Sequence, residues 1–365
     1  MRIAIVGAGL SGLACAHELE RLGLAPELFE KRPAPGDRLP SPETLAQFLH
    51  LNPRQDIFQY IQEELALPLH PSHAIIRMVI HSPNHEAEIS GHLGYVAIRG
   101  RDDRSIERQL LRHVGARIHA GAVPDVNELR REYDWVVVAT GNQSWTQQFS
   151  HWEADLGWFA RGALVRGDFS PGELHFFLNT RYAKTGHALL SAIDERTALV
   201  GVGIPNSSPE EIERYWEALR DAHGQRWDSE TEQFRIERYE CGRIGRIAVG
   251  NVLLIGAAAG FVECLGMNGV LPSLASGVMA ARQIALHDRS LERYARRWRV
   301  YYDRLRRLRR NVNAWTDEEM DRLALAVKMG GGILAHSPWN LLAPGGLIID
   351  MLRMADDPSP EVGLQ

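Results

Sequence analysis

Arg2-Ile3-Ala4-Ile5-Val6-Gly7-Ala8-Gly9-Leu10-Ser11-Gly12 is the stretch from which the fold can be read. Arg2–Val6 alternates little and is rich in β-branched residues, so it reads as a strand buried on both faces, the kind found in parallel sheets. Ser11–Leu22 then carries Leu13, Ala16, Leu19 and Leu22 at helical spacing, and Gly23 stops it. Glu27–Glu30 reads as a second short strand. Strand, glycine turn, helix and strand within about 30 residues make a βαβ unit. In such a unit Gly7 allows the tight turn, Gly9 lets the backbone approach a pyrophosphate, and Gly12 permits close packing of helix on strand. The helix N-terminus faces the phosphates with unpaired N–H groups, while Glu30 accepts from a ribose 2′-OH and repels a 2′-phosphate. The expectation is a dinucleotide site.

The rest of the composition narrows the class. The chain has 365 residues, 45% hydrophobic and 24% charged, as in ordinary soluble proteins of about two domains. Lys+Arg 41 against Asp+Glu 46 gives −5, which argues against nucleic acid as the main partner. Cys15, Cys241 and Cys264 form no CxxC pair, which fits a reducing, cytoplasmic compartment. Residues 2–16 imitate a signal peptide, but the three glycines and the amphipathic helix after them favour the nucleotide turn. The apolar stretch Gly330–Ile349 is broken by His336, Pro338, Asn340 and Pro344, so no transmembrane helix is expected.

Further along, the periodicities predict helices at Glu43–Leu51 and Asp56–Leu65, then strands at Ile75–His81, Glu86–Ser90 and Tyr95–Arg99. A helix at Ser105–Val114 and strands at Ala116–Ala120 and Trp135–Ala139 return to α/β alternation. Strands at Gly162–Asp168, Glu173–Asn179, Ala188–Asp194 and Ala198–Gly203, with a helix at Pro209–His223, suggest an inserted antiparallel sheet. The α/β pattern resumes at Val252–Ile255, and the chain reads as helical from Leu291 onward. Two of these strands run into small-residue turns, Thr140-Gly141 and Gly256-Ala257-Ala258-Ala259-Gly260, the second followed by Gly266-Met267-Asn268-Gly269. Ligands bind at such turns, at the C-terminal ends of strands in open α/β sheets.

At this point the sequence resembles the geranylgeranyl reductase group of FAD-dependent oxidoreductases, within the hydroxylase-like flavoproteins. Met1–Glu30 looks like the family's FAD fingerprint, Tyr95–Leu110 like its segment of strand, arginine and helix, and Gly256–Gly277 like its block of glycine turn and helix. The resemblance implies an α/β fold: a Rossmann-like FAD-binding body from 1–150 and 247–290, with 75–99 as a strand-rich excursion. An inserted, mainly antiparallel β-sheet substrate domain spans 151–246, and a helical C-terminal region spans 291–365. It implies FAD as cofactor, NAD(P)H or another electron donor, and an apolar, isoprenoid-like substrate between the FAD body and the inserted sheet. Hydride would pass through flavin N5. The implied cofactor contacts are Gly7, Ala8, Gly9, Leu10, Ser11, Gly12, Glu30, Lys31, Arg38, Leu39, Arg101, Val123, Thr140, Gly141, Gly256, Ala257, Met267, Asn268, Gly269 and Val270.

This chain departs from the family where it has Ala257 and Thr140 for aspartates, Cys264 for a proline and Met267 for a glycine. A flavin monooxygenase and a protein using FAD without redox turnover therefore remain alternatives. Because the cofactor carries the chemistry, no obligatory side-chain catalyst is expected. His187 reads as a general acid near the flavin or as a structural histidine, and Cys264 as a flavin contact or a small buried filler. His70/His73 and His81/His85 have ligand-like spacing, but Pro71 and Pro83 break a shared face, so no metal is expected. The run of arginines from Arg293 to Arg310 is interleaved with Tyr294, Trp298, Tyr301, Leu305 and Leu308 at steps of three and four. It reads either as a surface helix packed by its apolar stripe or as a contact with anionic membrane lipid.

Overall fold

The computed structural model describes residues 1–51 and 55–336. The strands are β1 (Ile3–Val6), β2 (Pro26–Glu30), β3 (Ser41–Ala46), β4 (His73–His81), β5 (Glu86–Arg99), β6 (Arg117–Ala120), β7 (Trp135–Val138), β8 (Trp152–Arg166), β9 (Glu173–Phe177), β10 (His187–Ala192), β11 (Thr197–Pro205), β12 (Ser229–Ile244), β13 (Ala248–Val249) and β14 (Val252–Leu254). Among the described residues they form a six-stranded sheet of order β13-β14-β7-β1-β2-β6 and an eight-stranded one of order β12-β8-β11-β10-β9-β4-β5-β3.

In the six-stranded sheet β1 lies between β2 and β7, and β14 lies outside β7, all parallel. Every residue of β1 and β14 is buried, as their unbroken apolar sequences require. The helix Leu10–Arg21 packs against the helix Val270–Leu286 so closely that a Cβ on Gly277 would stand 2.2 Å from the Ser11 carbonyl oxygen. The eight-stranded sheet is antiparallel apart from the β4–β9 pair. Through that pair the strands of residues 73–99, read above as an excursion from the nucleotide-binding part, share one hydrogen-bonded sheet with those of 152–244.

Several expected elements come out differently. Residues 43–51 have helical apolar spacing, yet Ser41–Ala46 pairs residue by residue with Gly94–Arg99, and only Gln47–Leu49 turns as a short 3₁₀ helix. The two strands expected within 86–99 are one, because Gly91 and Gly94 take φ of 140° and 137° and carry the pleat through. A Cβ on Gly94 would lie 2.1 Å from the Leu45 carbonyl oxygen. β8 starts at Trp152 rather than Gly162, and β12, not anticipated, pairs with it along most of its length. The helix Pro209–His223 has the expected bounds, with Ser208 capping it by accepting from the Glu211 N–H.

The arginine-rich segment is the helix Ser290–Val312, followed by the helix Asp317–His336. Its stripe of Leu291, Tyr294, Trp298, Tyr301, Tyr302, Leu305 and Leu308 is buried against the body. Arg309 is buried as well, whereas Arg296, Arg297, Arg304, Arg307 and Arg310 are exposed. The apolar stripe is therefore used in packing, and the face that meets solvent is mainly basic, with Val300 an exposed apolar residue on it. Among the described residues no helix is long and apolar enough to cross a membrane. The expected helical region beyond 336 lies outside the described residues.

Candidate functional site

The turns after β1, β7 and β14 leave the same edge of the six-stranded sheet and meet. Gly7, at φ 108°, donates its N–H to the Phe29 carbonyl at 2.7 Å, and a Cβ there would lie 2.4 Å from the Ala139 oxygen. A Cβ on Gly12 would lie 1.9 Å from the Gly7 oxygen. Those two glycines are required by the protein's own packing. Gly9 differs: a Cβ on it would meet nothing within 4 Å. Gly9 is also the N-cap of the Leu10–Arg21 helix, which has no side-chain cap and no acidic residue in its first turn. The helix end thus has no side-chain partner and the space beside Gly9 is open, an arrangement that favours an anion.

Glu30 ends β2 beside this turn, nearly buried. One carboxylate oxygen accepts the Ala8 N–H and the other the Arg32 N–H, both at 2.9 Å. Two backbone donors hold the carboxylate in place, and each oxygen keeps a lone pair for a hydroxyl donor. Lys31 and Val123 are exposed on the flank of this corner, where the Ala122 N–H donates to the Glu30 carbonyl at 2.9 Å.

On the other side, Gly256 takes φ 59°, and a Cβ there would lie 2.6 Å from Ser11 Oγ. Its N–H donates to Ser276 Oγ at 3.0 Å. Gln143 Nε2 donates to the Ala257 carbonyl at 3.0 Å and Thr146 Oγ1 to the Ala258 carbonyl at 2.6 Å, tying the segment after Thr140-Gly141 to the Gly256 turn. Thr140 Oγ1 donates locally to the Asn142 carbonyl at 3.1 Å. Ala257 is buried and offers no carboxylate.

The loop ahead of the Val270 helix is built around a residue that the sequence reading missed. Glu263, buried, accepts N–H groups from Leu265 at 2.6 Å, Gly266 at 2.9 Å and Asn268 at 2.9 Å. Burial raises its pKa, against the lowering pull of those donors and of Arg309. The wrapped carboxylate holds Met267 at φ 61° and sets Asn268, whose Nδ2 donates to the Thr44 carbonyl at 2.9 Å and whose Oδ1 accepts the Val270 N–H at 3.1 Å. Gly269 is an N-cap without side-chain help. No motif flags a glutamate inside an apolar turn; its run of small neighbours is the only hint.

Arg38, Leu39 and Arg101 sit at one further corner. The Arg101 N–H donates to the Arg38 carbonyl at 3.0 Å, but its guanidinium turns away to Glu232 at 2.5 and 2.7 Å. The arginine directed inward is Arg99, paired with Glu107 at 3.0 Å. Arg99's charge, with burial, lowers the pKa of Arg38. Tyr239 stands in the same group, its phenol pushed up to about 12 by burial.

On the eight-stranded sheet, His187 stacks on Phe176 with ring centroids 4.8 Å apart and lies 5.5 Å from Trp158. Burial, with Arg309 adding, pushes its imidazole down to about 4. It is neutral near pH 7, which suits a structural or accepting role rather than an acid's. Cys264 is 1% exposed and its thiol is pushed up by Cys241 and by burial, so it packs as a small apolar group.

Three parallel strands with glycine turns meeting under an uncapped helix define a Rossmann-like nucleotide-binding fold. Residues 5–56 match the NAD(P)-binding Rossmann-like domain family. Among solved structures, the chain is similar to a geranylgeranyl bacteriochlorophyll reductase-like protein from Thermoplasma acidophilum, with 16% identity over 96% of this chain and 95% of that one at a TM-score of 0.70. A flavoprotein/dehydrogenase from Cytophaga hutchinsonii matches at 11% identity over 98% and 100%, TM-score 0.65. A flavin-dependent brominase matches at 17% identity over 97% of each chain, TM-score 0.63. The fold is that of these flavoproteins, as the resemblance implied.

Proposed function

We propose that this protein is an FAD-dependent oxidoreductase acting on an apolar small molecule of isoprenoid-like character. The observation that carries the reading is the meeting of the Gly7–Gly12 turn, the uncapped N-terminus of the Leu10 helix, Glu30 and the Gly256 turn at one sheet edge. These residues fit the group: the space that a Gly9 side chain would claim is open for a pyrophosphate, and Glu30 offers lone pairs to a ribose. When bound, the flavin supplies a two-electron hydride centre. The chain's own residues bind, orient and shield. Backbone N–H groups at Gly9–Ser11 would take the phosphates and Glu30 the adenosine ribose, and Gly269 and Val270 would present a second helix N-terminus to the ring's polar edge. The eight-stranded sheet would form the substrate layer, with Phe176 and Leu189 among its apolar residues and the neutral His187 stacked on Phe176. NAD(P)H is proposed as electron donor.

Flavin-dependent relatives in fold support this reading, and the missing carboxylates at Ala257 and Thr140 shift it toward weaker, exchangeable cofactor binding. Titrating the protein with FAD and then adding NADPH anaerobically tests it. Flavin bound with quenched fluorescence and bleached by the donor is the expected result. A protein that never retains FAD refutes it, and oxygen uptake coupled to substrate hydroxylation would select the monooxygenase alternative. The exposed arginines of the Ser290 helix favour one addition, a peripheral contact with anionic lipid made by charge alone, which would bring an apolar lipid substrate within reach.

A further inference from the structure

Between residues 44–51 and 55–64, the first turn of the Val270 helix and one face of the Ser290 helix lies a cavity of about 210 Å³. At roughly 30 Å³ per water that is about seven waters, room for one substituted ring. Leu45, Leu49, Ile57 and Leu271 make an apolar wall. Tyr294, Trp298 and Tyr301, at steps of four and three on one helix face, make an aromatic one, and Tyr60 closes it. Two of these rings are fixed by their own hydrogen bonds, Trp298 Nε1 donating to the Gly260 carbonyl at 3.1 Å and Tyr301 donating to the Leu49 carbonyl.

The polar atoms of the lining are less well served. Thr44 Oγ1 is buried without a hydrogen-bond partner. The half-buried Tyr60 and the buried Tyr294 also line it, and no hydrogen bond of either hydroxyl is found among the described residues. A buried hydroxyl left unpaired costs on the order of 1–3 kcal/mol, so Thr44 Oγ1 favours a ligand that accepts its hydrogen bond. Burial pushes Tyr60 up to about 12 and Tyr294 well above its ordinary value, so both phenols remain donors. Arg297 is exposed at the mouth, without a hydrogen-bond or ion-pair partner among the described residues, and its charge reaches both phenols. Glu64 stands on the same rim, with its backbone oxygen accepting from Arg282, which pairs with Glu18 at 2.7 Å.

We propose that this cavity is a binding site for a small aromatic carboxylate, its ring against Tyr294 and Trp298 and its carboxylate toward Arg297, with the Tyr60 and Tyr294 hydroxyls donating to it. Of the candidate cofactor residues only Asn268 lines it, beside Glu263 and the first turn of the Val270 helix, so the site lies apart from the Gly7–Gly12 turn and borders the part of the cofactor site proposed for the flavin ring.

The test uses the full chain, with and without saturating FAD, and three probes: benzoate, benzyl alcohol and benzylamine, followed by tryptophan fluorescence and saturation-transfer NMR. Benzoate should bind saturably in both states, benzyl alcohol about tenfold more weakly, and benzylamine more weakly still. Arg297→Gln and Tyr294→Phe should each weaken benzoate five- to tenfold while the melting temperature stays within a degree or two, on the order expected for surface or single-hydroxyl changes. The proposal is overturned by an absence of saturable benzoate binding, by benzylamine binding as well as benzoate, or by wild-type affinity in both variants. Displacement of benzoate by FAD would also overturn it, by assigning the cavity to the cofactor.

Discussion

Two glycines three residues apart in the same motif should respond to the same substitution in opposite ways. In Gly12→Ala the new methyl would sit 1.9 Å from the Gly7 carbonyl oxygen, well inside contact distance, with the Ala139 methyl 3.4 Å away. The helix must lift off β1, and overpacking of this kind costs about 1–3 kcal/mol or more, with FAD binding lost as a consequence of damaged structure. In Gly9→Ala the methyl meets no protein atom within 4 Å and the backbone is ordinary, so the fold loses only the roughly 0.5–1 kcal/mol of a poorer N-cap. That methyl does stand where a pyrophosphate would approach. Loss of at least tenfold in FAD affinity, about 1.4 kcal/mol, is expected with a nearly unchanged melting curve. Thermal denaturation by circular dichroism and flavin fluorescence titration of both variants separate the two effects. Wild-type FAD affinity in a well-folded Gly9→Ala protein would refute the placement of phosphates over this turn. An unaltered melting temperature in Gly12→Ala would refute the packing argument.

Three other outcomes are expected. Ala257→Asp should tighten FAD about tenfold if the ribityl chain passes the Gly256 turn, since a hydroxyl then gains a charged acceptor; isothermal titration of both proteins reads the change. His187 has a folded pKa near 4 against about 6.5 unfolded, so its contribution to stability is present above pH 6.5 and is lost as pH falls toward 4. Between pH 7 and pH 5 that amounts to about 2 kcal/mol, and denaturant titrations of His187→Gln should show a correspondingly flatter pH dependence. Replacing Arg304 and Arg307 with glutamine should reduce flotation with anionic vesicles at low salt and leave behaviour with neutral vesicles unchanged, because the apolar stripe of that helix is already buried.

The parts legible in the sequence are those whose causes are local. β1, its glycine turn, the Leu10 helix and β2 each follow from a few adjacent residues, and Glu30 lands beside the turn because β2 pairs in parallel with β1. β3 was illegible because its apolar residues fall at helical spacing, and only the partner strand Gly94–Arg99, some fifty residues away in the chain, decides otherwise. β12 was missed because Glu230, Glu232 and Arg235 make it look like a solvated segment, whereas β8 supplies the pairing. That the Arg101 guanidinium turns to Glu232 while Arg99 pairs with Glu107 was illegible for the same reason, since the two partners come from different elements. Glu263 is the sharpest case, since the backbone donors that satisfy it exist only once the loop has closed around it.

The way the two sheets are stitched governs how the chain must reach its native state. β1, near the start, is flanked by β7, and β7 by β14, so the first strand's layer is completed only by residues beyond 250. The eight-stranded sheet has its own delayed seam, the parallel β4–β9 pair, which joins residues 77–81 to 173–177. Loop closure over such separations is paid before the contacts reward it, which makes folding slow. During synthesis the emerging first half carries open edges on both sheets, with the surface of the Leu10 helix that Gly277 later covers still bare. Such a chain depends on protection from self-association until its last third has left the ribosome.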